Sequence, residues 1–144
     1  MDRRGGFTLV ELVVILLLVG ILAAVAMPKF FNLGDYQTRA AYDEVATAIR
    51  YAQKLAVASS CDVRVNISTD SYALQQHATN CTSGAFTTIT NHPVTSNTLS
   101  GVSLSATPGS FIFDPMGRCS AAVTVNVNGE TFQVIAETGY VDAP

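Results

Sequence analysis

Basic residues are scarce in this chain and missing altogether from one part of it. Eight lysines and arginines stand against eleven aspartates and glutamates, for a formal net charge of −3, and none of the eight lies between Phe7 and Met27. An acidic chain with so few cations argues against non-specific binding to DNA or to anionic lipid. Beyond Lys54 only Arg64 and Arg118 remain, so a nucleic-acid groove would have to be built from very few charges. The signatures of catalysis are missing as well. No Gly-x-Ser-x-Gly, phosphate-binding glycine loop, His-Glu-x-x-His or dinucleotide fingerprint occurs. His77 and His92 have no cysteine or carboxylate at metal-ligand spacing and read as exposed loop residues. Asp114, ahead of Pro115 and Gly117, is a turn former before it is a site residue. The stretch from His77 to Val102 offers almost no carboxylate for calcium. The expectation is a protein that is not an enzyme, with no catalytic residue, no metal and no cofactor.

What the chain has in quantity is apolar sequence at its start. After MDRRGG comes FTLVELVVILLLVGILAAVAM, interrupted by one acid, Glu11. The run from Phe7 to Met27 is about long enough to span a bilayer as a helix of ~20 residues. A charged side chain within the hydrocarbon layer costs several kcal/mol unless partnered, so it points to function. With no cation in the run, the natural partner for Glu11 is a positive charge on another copy of the same kind of chain. Two plainer readings compete. In one, Arg3 and Arg4 form the n-region of a secretory signal peptide and Ala24-Val25-Ala26 its cleavage site. The apolar stretch is too long for the usual h-region of ~7 to 15 residues, and Glu11 sits inside it. In the other the segment is a plain single-span anchor, which leaves Glu11 unexplained.

Gly6, Phe7, Thr8, Leu9, Val10, Glu11 and Leu12 resemble the processing site of type IV prepilins and of the pseudopilins of type II secretion. The resemblance implies cleavage after Gly6 by an inner-membrane prepilin peptidase, N-methylation of the new terminus at Phe7, and assembly through the apolar helix. The electrostatics agree with it: an ammonium created at Phe7 of an incoming subunit could pair with Glu11 of its neighbour and cancel a charge that is costly in lipid. Removal of the leader takes Asp2, Arg3 and Arg4, leaving six basic against ten acidic side chains.

Beyond the apolar run the composition turns to Thr, Ser, Asn and Val, that of a strand-built domain with polar turns. Pro28 should bend or interrupt the first helix, with Gly20 and Gly34 as further soft points. The helix then continues: Ala41, Val45, Ala48, Ile49, Ala52, Leu55 and Ala56 recur at spacings of three and four, while Arg39, Asp43, Thr47, Arg50 and Lys54 fall elsewhere. The reading is one long helix in two solvents, lipid for its first half and a sheet against one stripe of its second. An independent amphipathic helix fits the same periodicity.

Asp62 to Ile67 and Ser71 to Gln75 form a first hairpin around Ser68-Thr69-Asp70. Residues 77 to 100 read as a long surface loop with a short strand near Phe86 to Ile89. Val102 to Leu104 and Phe111 to Phe113 are short strand candidates on either side of Pro108-Gly109. The strongest signal is Val123, Val125 and Val127 answered by Phe132, Val134 and Ala136 across Asn128-Gly129, an antiparallel hairpin. Gly139-Tyr140-Val141 should close the chain by a further small pairing or by docking Tyr140.

Three cysteines, Cys61, Cys81 and Cys119, allow one disulfide and one leftover thiol. If Ile67 faces Tyr72, Cys61 lies opposite Ala78, a few residues short of Cys81. That register favours Cys61 with Cys81 and leaves Cys119 free; three buried thiols, or a bridge through Cys119, are the alternatives.

The expected fold is therefore α+β of the pilin kind. Residues 1–6 form a leader, 7–27 a transmembrane and assembly helix, 28–60 its amphipathic continuation, and 61–144 a β-rich antiparallel head. The text from Phe111 to Arg118 and from Thr138 to Val141 resembles the H-type minor pseudopilins, their minor pilin relatives and a minor prepilin of mannose-sensitive haemagglutinin (MSHA) pili. Pro28 to Leu33 and the Gly-Tyr-Val ending resemble the MSHA group. No cysteine pair brackets the C-terminal segment, unlike many major pilins. The implied role is a minor type IV pilin held in the bacterial inner membrane, then moved to the pilus and cell surface. The implied partners are other pilin subunits, the prepilin peptidase and the inner-membrane assembly platform. A pseudopilin of type II secretion and a DNA-binding minor pilin are the competing roles.

Overall fold

A computed structural model describes residues 8–26, 33–81, 83–90 and 92–144. Gly6, Phe7, Met27 and the Pro28 bend lie outside the described residues. The chain divides into two compact units, Met1–Tyr36 and Gln37–Pro144.

The first unit contains α1, Leu9–Ala26, which runs through Gly20 without a break, because the interior of an apolar helix tolerates a single glycine at about 1 kcal/mol. Its 18 residues rise about 27 Å, short of the ~30 Å hydrocarbon layer. Among the described residues no helix is long and apolar enough to cross a membrane. The span expected for residues 7–27 includes positions that are not described.

The second helix, α2, covers Leu33–Ser59. From Gln37 onward it belongs to the head and forms one wall of its core. Ala41, Val45, Ala48, Ile49, Ala52 and Ala56 are buried, as the three-and-four spacing requires, and Tyr42 and Ala46 widen the stripe. The stripe is mostly alanine, so the backbone of α2 can approach the strands closely. α2 stops on a Schellman motif: Ser60 is left-handed, with φ of 53°, and the Ser60 and Cys61 N–H groups donate to the carbonyls of Val57 and Ala56.

Among the described residues the strands that follow are β1 Val63–Ile67, β2 Ser71–His77, β3 Phe86–Thr88, β4 Ser96–Thr98, β5 Leu104–Thr107, β6 Ser110–Phe113, β7 Val123–Val127, β8 Glu130–Val134 and β9 Val141–Asp142. They form two antiparallel sheets. The first has the order β3-β2-β1-β6, with β4 also pairing with β2; the second has the order β5-β7-β8-β9. Ile67 does face Tyr72, and Val65 faces Leu74 on one side and Phe111 on the other. Alternation sends Val63, Val65, Leu74, Phe111 and Phe113 inward from the first sheet, and Val123, Val125, Val127, Phe132 and Val134 from the second. Both sets meet α2 in one core, where the Tyr42 and Phe132 rings meet edge to face with centroids 5.1 Å apart.

The β7–β8 hairpin turns on Asn128 and Gly129 with φ of 51° and 98°, the two left-handed residues of a type I′ turn. Around Pro108-Gly109 the chain leaves the second sheet at β5 and enters the first at β6, where the Ile67 N–H donates to the Gly109 carbonyl at 2.8 Å.

The described residues between 77 and 100 are more ordered than the loop expected from their polarity. β3 and β4 both add to β2, at its two ends, and main-chain pairing needs no apolar alternation to form such short edge strands. His77 consequently ends a strand. Tyr140 is exposed at 59% while Val141 is 2% exposed: the chain end closes by pairing β9 with β8 and burying Val141, and the docking expected of Tyr140 does not occur.

Candidate assembly site

At the N-terminal end, Thr8 precedes α1 and its Oγ1 accepts the Glu11 N–H at 3.2 Å. Thr8-x-x-Glu11 thus has the spacing of a capping box, and a cap of this kind stabilises a helix start by about 1 kcal/mol. The Glu11 carboxylate stands in the first turn, beside the positive end of the helix dipole. Every described side chain of α1 whose burial is defined is exposed, from Leu9 at 78% to Ile15 at 43%. A helix apolar on all faces is stable only when lipid or other helices surround it. Gly6 and Phe7, the expected cleavage and methylation positions, lie outside the described residues.

In the head, two segments singled out in the sequence come together on α2. After β6, the carboxylate of Asp114 organises the turn 114–118. Its Oδ1 accepts the N–H groups of Met116 and Arg118 at 2.9 Å each, and its Oδ2 accepts Arg118 Nε at 2.8 Å and pairs with Arg118 NH2 at 2.7 Å. Burial acts to raise the pKa of Asp114, but these donors outweigh it and hold the carboxyl below its ordinary range. Gly117, with φ of 80°, lets the turn close. The loop after β8 brings Gly139, with φ of 62°, against Gly117, where any Cβ on Gly139 would collide with the Gly117 carbonyl. Gln53 of α2 clamps the two, its Nε2 donating to the carbonyls of Gly117 and Thr138 at 2.9 Å each. The sequence reading had missed Gln53. The available signal was a polar residue next to Ala52, at the border of the buried stripe.

A second polar junction fixes the β4 end of the first sheet. Glu44 Oε1 accepts Tyr72 Oη at 2.8 Å and Asn97 Nδ2 at 2.6 Å. Burial, then the bond to Glu44, pushes the Tyr72 hydroxyl pKa up. The expected bridge joins Cys61 to Cys81, with Cα atoms 4.4 Å apart, and Cys119 is a buried free thiol whose pKa burial raises.

The other polar residues weighed in the sequence are engaged locally. His92 stacks on Tyr51 with centroids 4.8 Å apart, and His77 lies against Phe86 at 4.0 Å. Arg64 also lies over the Phe86 ring, its guanidinium carbon 3.7 Å from the ring centroid.

Comparison with known proteins agrees with this construction. Residues 41–139 match the family described as "Type II transport protein GspH", and residues 1–27 match the "Prokaryotic N-terminal methylation motif". Over 54 residues the chain is 43% identical to the type IV narrow pilus major component PilA5 of Thermus thermophilus, a match covering 38% of this chain and 47% of that protein. The chain therefore spans about half the length of that relative. Two solved structures share the fold. The type IV minor pilin FimU of Pseudomonas aeruginosa aligns with a TM-score of 0.57 at 11% identity, over 77% of this chain and 90% of FimU. The minor pseudopilin EpsH of the type 2 secretion system of Vibrio cholerae aligns with a TM-score of 0.58 at 15% identity, over 75% of this chain and 96% of EpsH.

Proposed function

This chain belongs to the GspH family of type II transport proteins, within the type IV prepilin and pseudopilin superfamily, and we propose that it is a low-copy subunit that starts or caps a type IV pilus. The family's members are structural subunits that contact other pilin subunits and the assembly machinery, and the N-terminal motif belongs to proteins inserted in a membrane before assembly. The observation that carries the proposal is α1: an all-round apolar helix with one acid, Glu11, in its first turn. Such a surface is satisfied first by lipid and then by neighbouring helices.

In this reading residues 7–27 hold the chain in the inner membrane as a single span, residues 28–60 continue the helix, and 61–144 form the head. Prepilin peptidase cuts after Gly6, Phe7 becomes the methylated terminus, and the ammonium there pairs with Glu11 of an adjoining subunit. The assembly platform then moves the chain into the filament. The resemblance of the C-terminal text to the MSHA group supports a pilus used in surface attachment. N-terminal mass analysis tests the processing step: a chain beginning at Phe7 is expected, and one beginning at Met27 refutes it. Quantitative mass spectrometry of sheared pili tests the copy number, and a preparation dominated by this chain would make it the major subunit.

The match to the GspH family favours a second reading, a minor pseudopilin of type II secretion. Deletion separates the two: loss of pili with secretion intact supports the first, and the converse supports the second. A DNA-binding role draws less support. Arg118 is neutralised by Asp114, leaving few free cations on the head; a salt-dependent gel shift with the head is the test.

A further inference from the structure

The chain contains one Asn-Gly pair, Asn128-Gly129, at the tip of the β7–β8 hairpin. The turn needs both residues, because both are left-handed and asparagine and glycine adopt that conformation at least cost. The same pair is chemically fragile. With no side chain to shield it, the glycine nitrogen can attack the asparagine carboxamide: a bond forms from Gly129 N to Asn128 Cγ, the Cγ–Nδ2 bond breaks, and Nδ2 leaves as ammonia with the proton from the glycine nitrogen. Water then opens the cyclic imide on either side of its nitrogen and leaves aspartate or isoaspartate at 128.

Burial does not protect the pair, since both residues are exposed. Hydrogen bonds do. The Gly129 N–H, whose proton must be lost for attack, donates to Asn126 Oδ1 at 2.9 Å. The carboxamide is held at both ends: its Oδ1 accepts the Ser103 N–H at 2.7 Å, and its Nδ2 donates to Thr38 Oγ1 at 3.0 Å. Nucleophile and electrophile are each turned to another partner, and ring closure requires these three bonds to open. Thr38 lies on α2 and Ser103 just ahead of β5, 90 and 25 residues away in sequence, so the carboxamide is secured only once the head has closed. Three bonds of ordinary strength, each worth about fivefold in an equilibrium, multiply to about a hundredfold.

From this geometry we propose that Asn128 is a deamidation site gated by folding: the closed head keeps its carboxamide, and a chain that lingers open loses it. Later folding does not reverse the loss. Isoaspartate routes the main chain through the side chain and lengthens the turn whose register sets Val125 opposite Phe132. Aspartate keeps the backbone but removes the donor to Thr38 and adds a carboxylate two residues from Glu130. The reaction needs only water, so it times any open chain, whatever the subunit's role in a filament or secretion machine.

The test is peptide mapping of the full chain at mildly alkaline pH, in detergent with and without guanidinium, scoring aspartate and isoaspartate at 128 against time. Deamidation is expected to run about a hundredfold slower in the closed head than in the unfolded chain. Asn126→Ala frees the glycine N–H and should raise the closed-state rate about fivefold with the unfolded rate unchanged; Thr38→Val, which leaves the turn's own residues intact, should do the same from the carboxamide side. Near-UV circular dichroism of each sample shows whether the head is closed, and acceleration in either closed variant supports the proposal. Closed and unfolded rates within about fivefold of each other, or closed-state rates unmoved in both variants, overturn it. A sample aged in guanidinium and then diluted should regain its near-UV signal only in molecules without isoaspartate at 128; equal recovery with and without it refutes the consequence for closure.

Discussion

Removing the cross-link between Cys61 and Cys81 should cost the head a sizeable part of its stability. The bridge closes a segment of sequence separation 20, and the chain-entropy relation for a loop of that length gives about 3 kcal/mol. Native domains are stable by only ~5–15 kcal/mol. Local geometry argues that the full amount is felt, because the bridge fastens the residue that follows the Schellman ending of α2 to the loop between β2 and β3. The perturbation is Cys61→Ser with Cys81→Ser, compared with reduction of the unaltered protein. Near-UV circular dichroism of the full chain in detergent is the assay; the sequence has no tryptophan and five tyrosines, and Tyr42 and Tyr72 are buried in the head, so the signal follows head packing and is indifferent to α1. At roughly 4 °C per kcal/mol for a domain of this size, the midpoint should fall about 12 °C. Reductant should reproduce the fall in the unaltered protein and do nothing further to the double variant. A fall under about 4 °C in both would refute the reasoning, showing the loop already restricted in the unfolded chain or the bridge unformed.

Glu11→Ala should leave the head's midpoint and membrane insertion unchanged while sharply reducing incorporation into filaments; normal recruitment in that variant rules out the pairing with Phe7. Gln53→Ala removes two hydrogen bonds at about 1 kcal/mol each and should lower the same midpoint by roughly 8 °C, with the greatest loss of amide protection at Gly117 and Gly139. The Asp114 pKa is depressed on folding, so its stabilisation is complete above the ordinary carboxylate range and is lost as pH falls through the lowered value; an acid titration of Asp114→Asn should lack that part of the loss. Cys119, buried with a raised pKa, should resist iodoacetamide at pH 8 in the native protein and react once denaturant is added.

The most legible parts of the sequence were those whose pattern repeats the geometry. Val123, Val125 and Val127 with Asn128-Gly129 dictate a hairpin because alternation and two left-handed residues allow little else. The stripe from Ala41 to Ala56 gave the buried face of α2 for the same reason, and the register through Ile67 and Tyr72 carried the cysteine pairing with it. Legibility failed where main-chain pairing does the structural work. Ser96, Asn97 and Thr98 of β4 are all exposed, so no alternation betrays them; they are held by register with Ser71, Tyr72 and Ala73 and by Asn97 on Glu44. Gln53 escaped for a related reason, since its partners are carbonyl groups and the identity of Gly117 and Thr138 says nothing about their oxygens. Glu11 stands out in the sequence as an anomaly of charge, while its N-cap partner Thr8 emerged only with the helix geometry.

The exchange of strands around Pro108-Gly109 bears on how the head can be made. A ribosome or translocon delivers this chain amino end first, yet β1 waits for β6 to complete its pairing, and β5 waits for β7. Neither sheet can finish without residues from the last third of the sequence, and the pairing of β8 waits for Val141, three residues from the end. Vectorial synthesis therefore cannot deposit a finished half-domain; the head remains an open chain through most of its delivery and then closes in one late step, with many contacts between residues far apart in sequence. A truncation ahead of Val141 removes the strand on which closure depends.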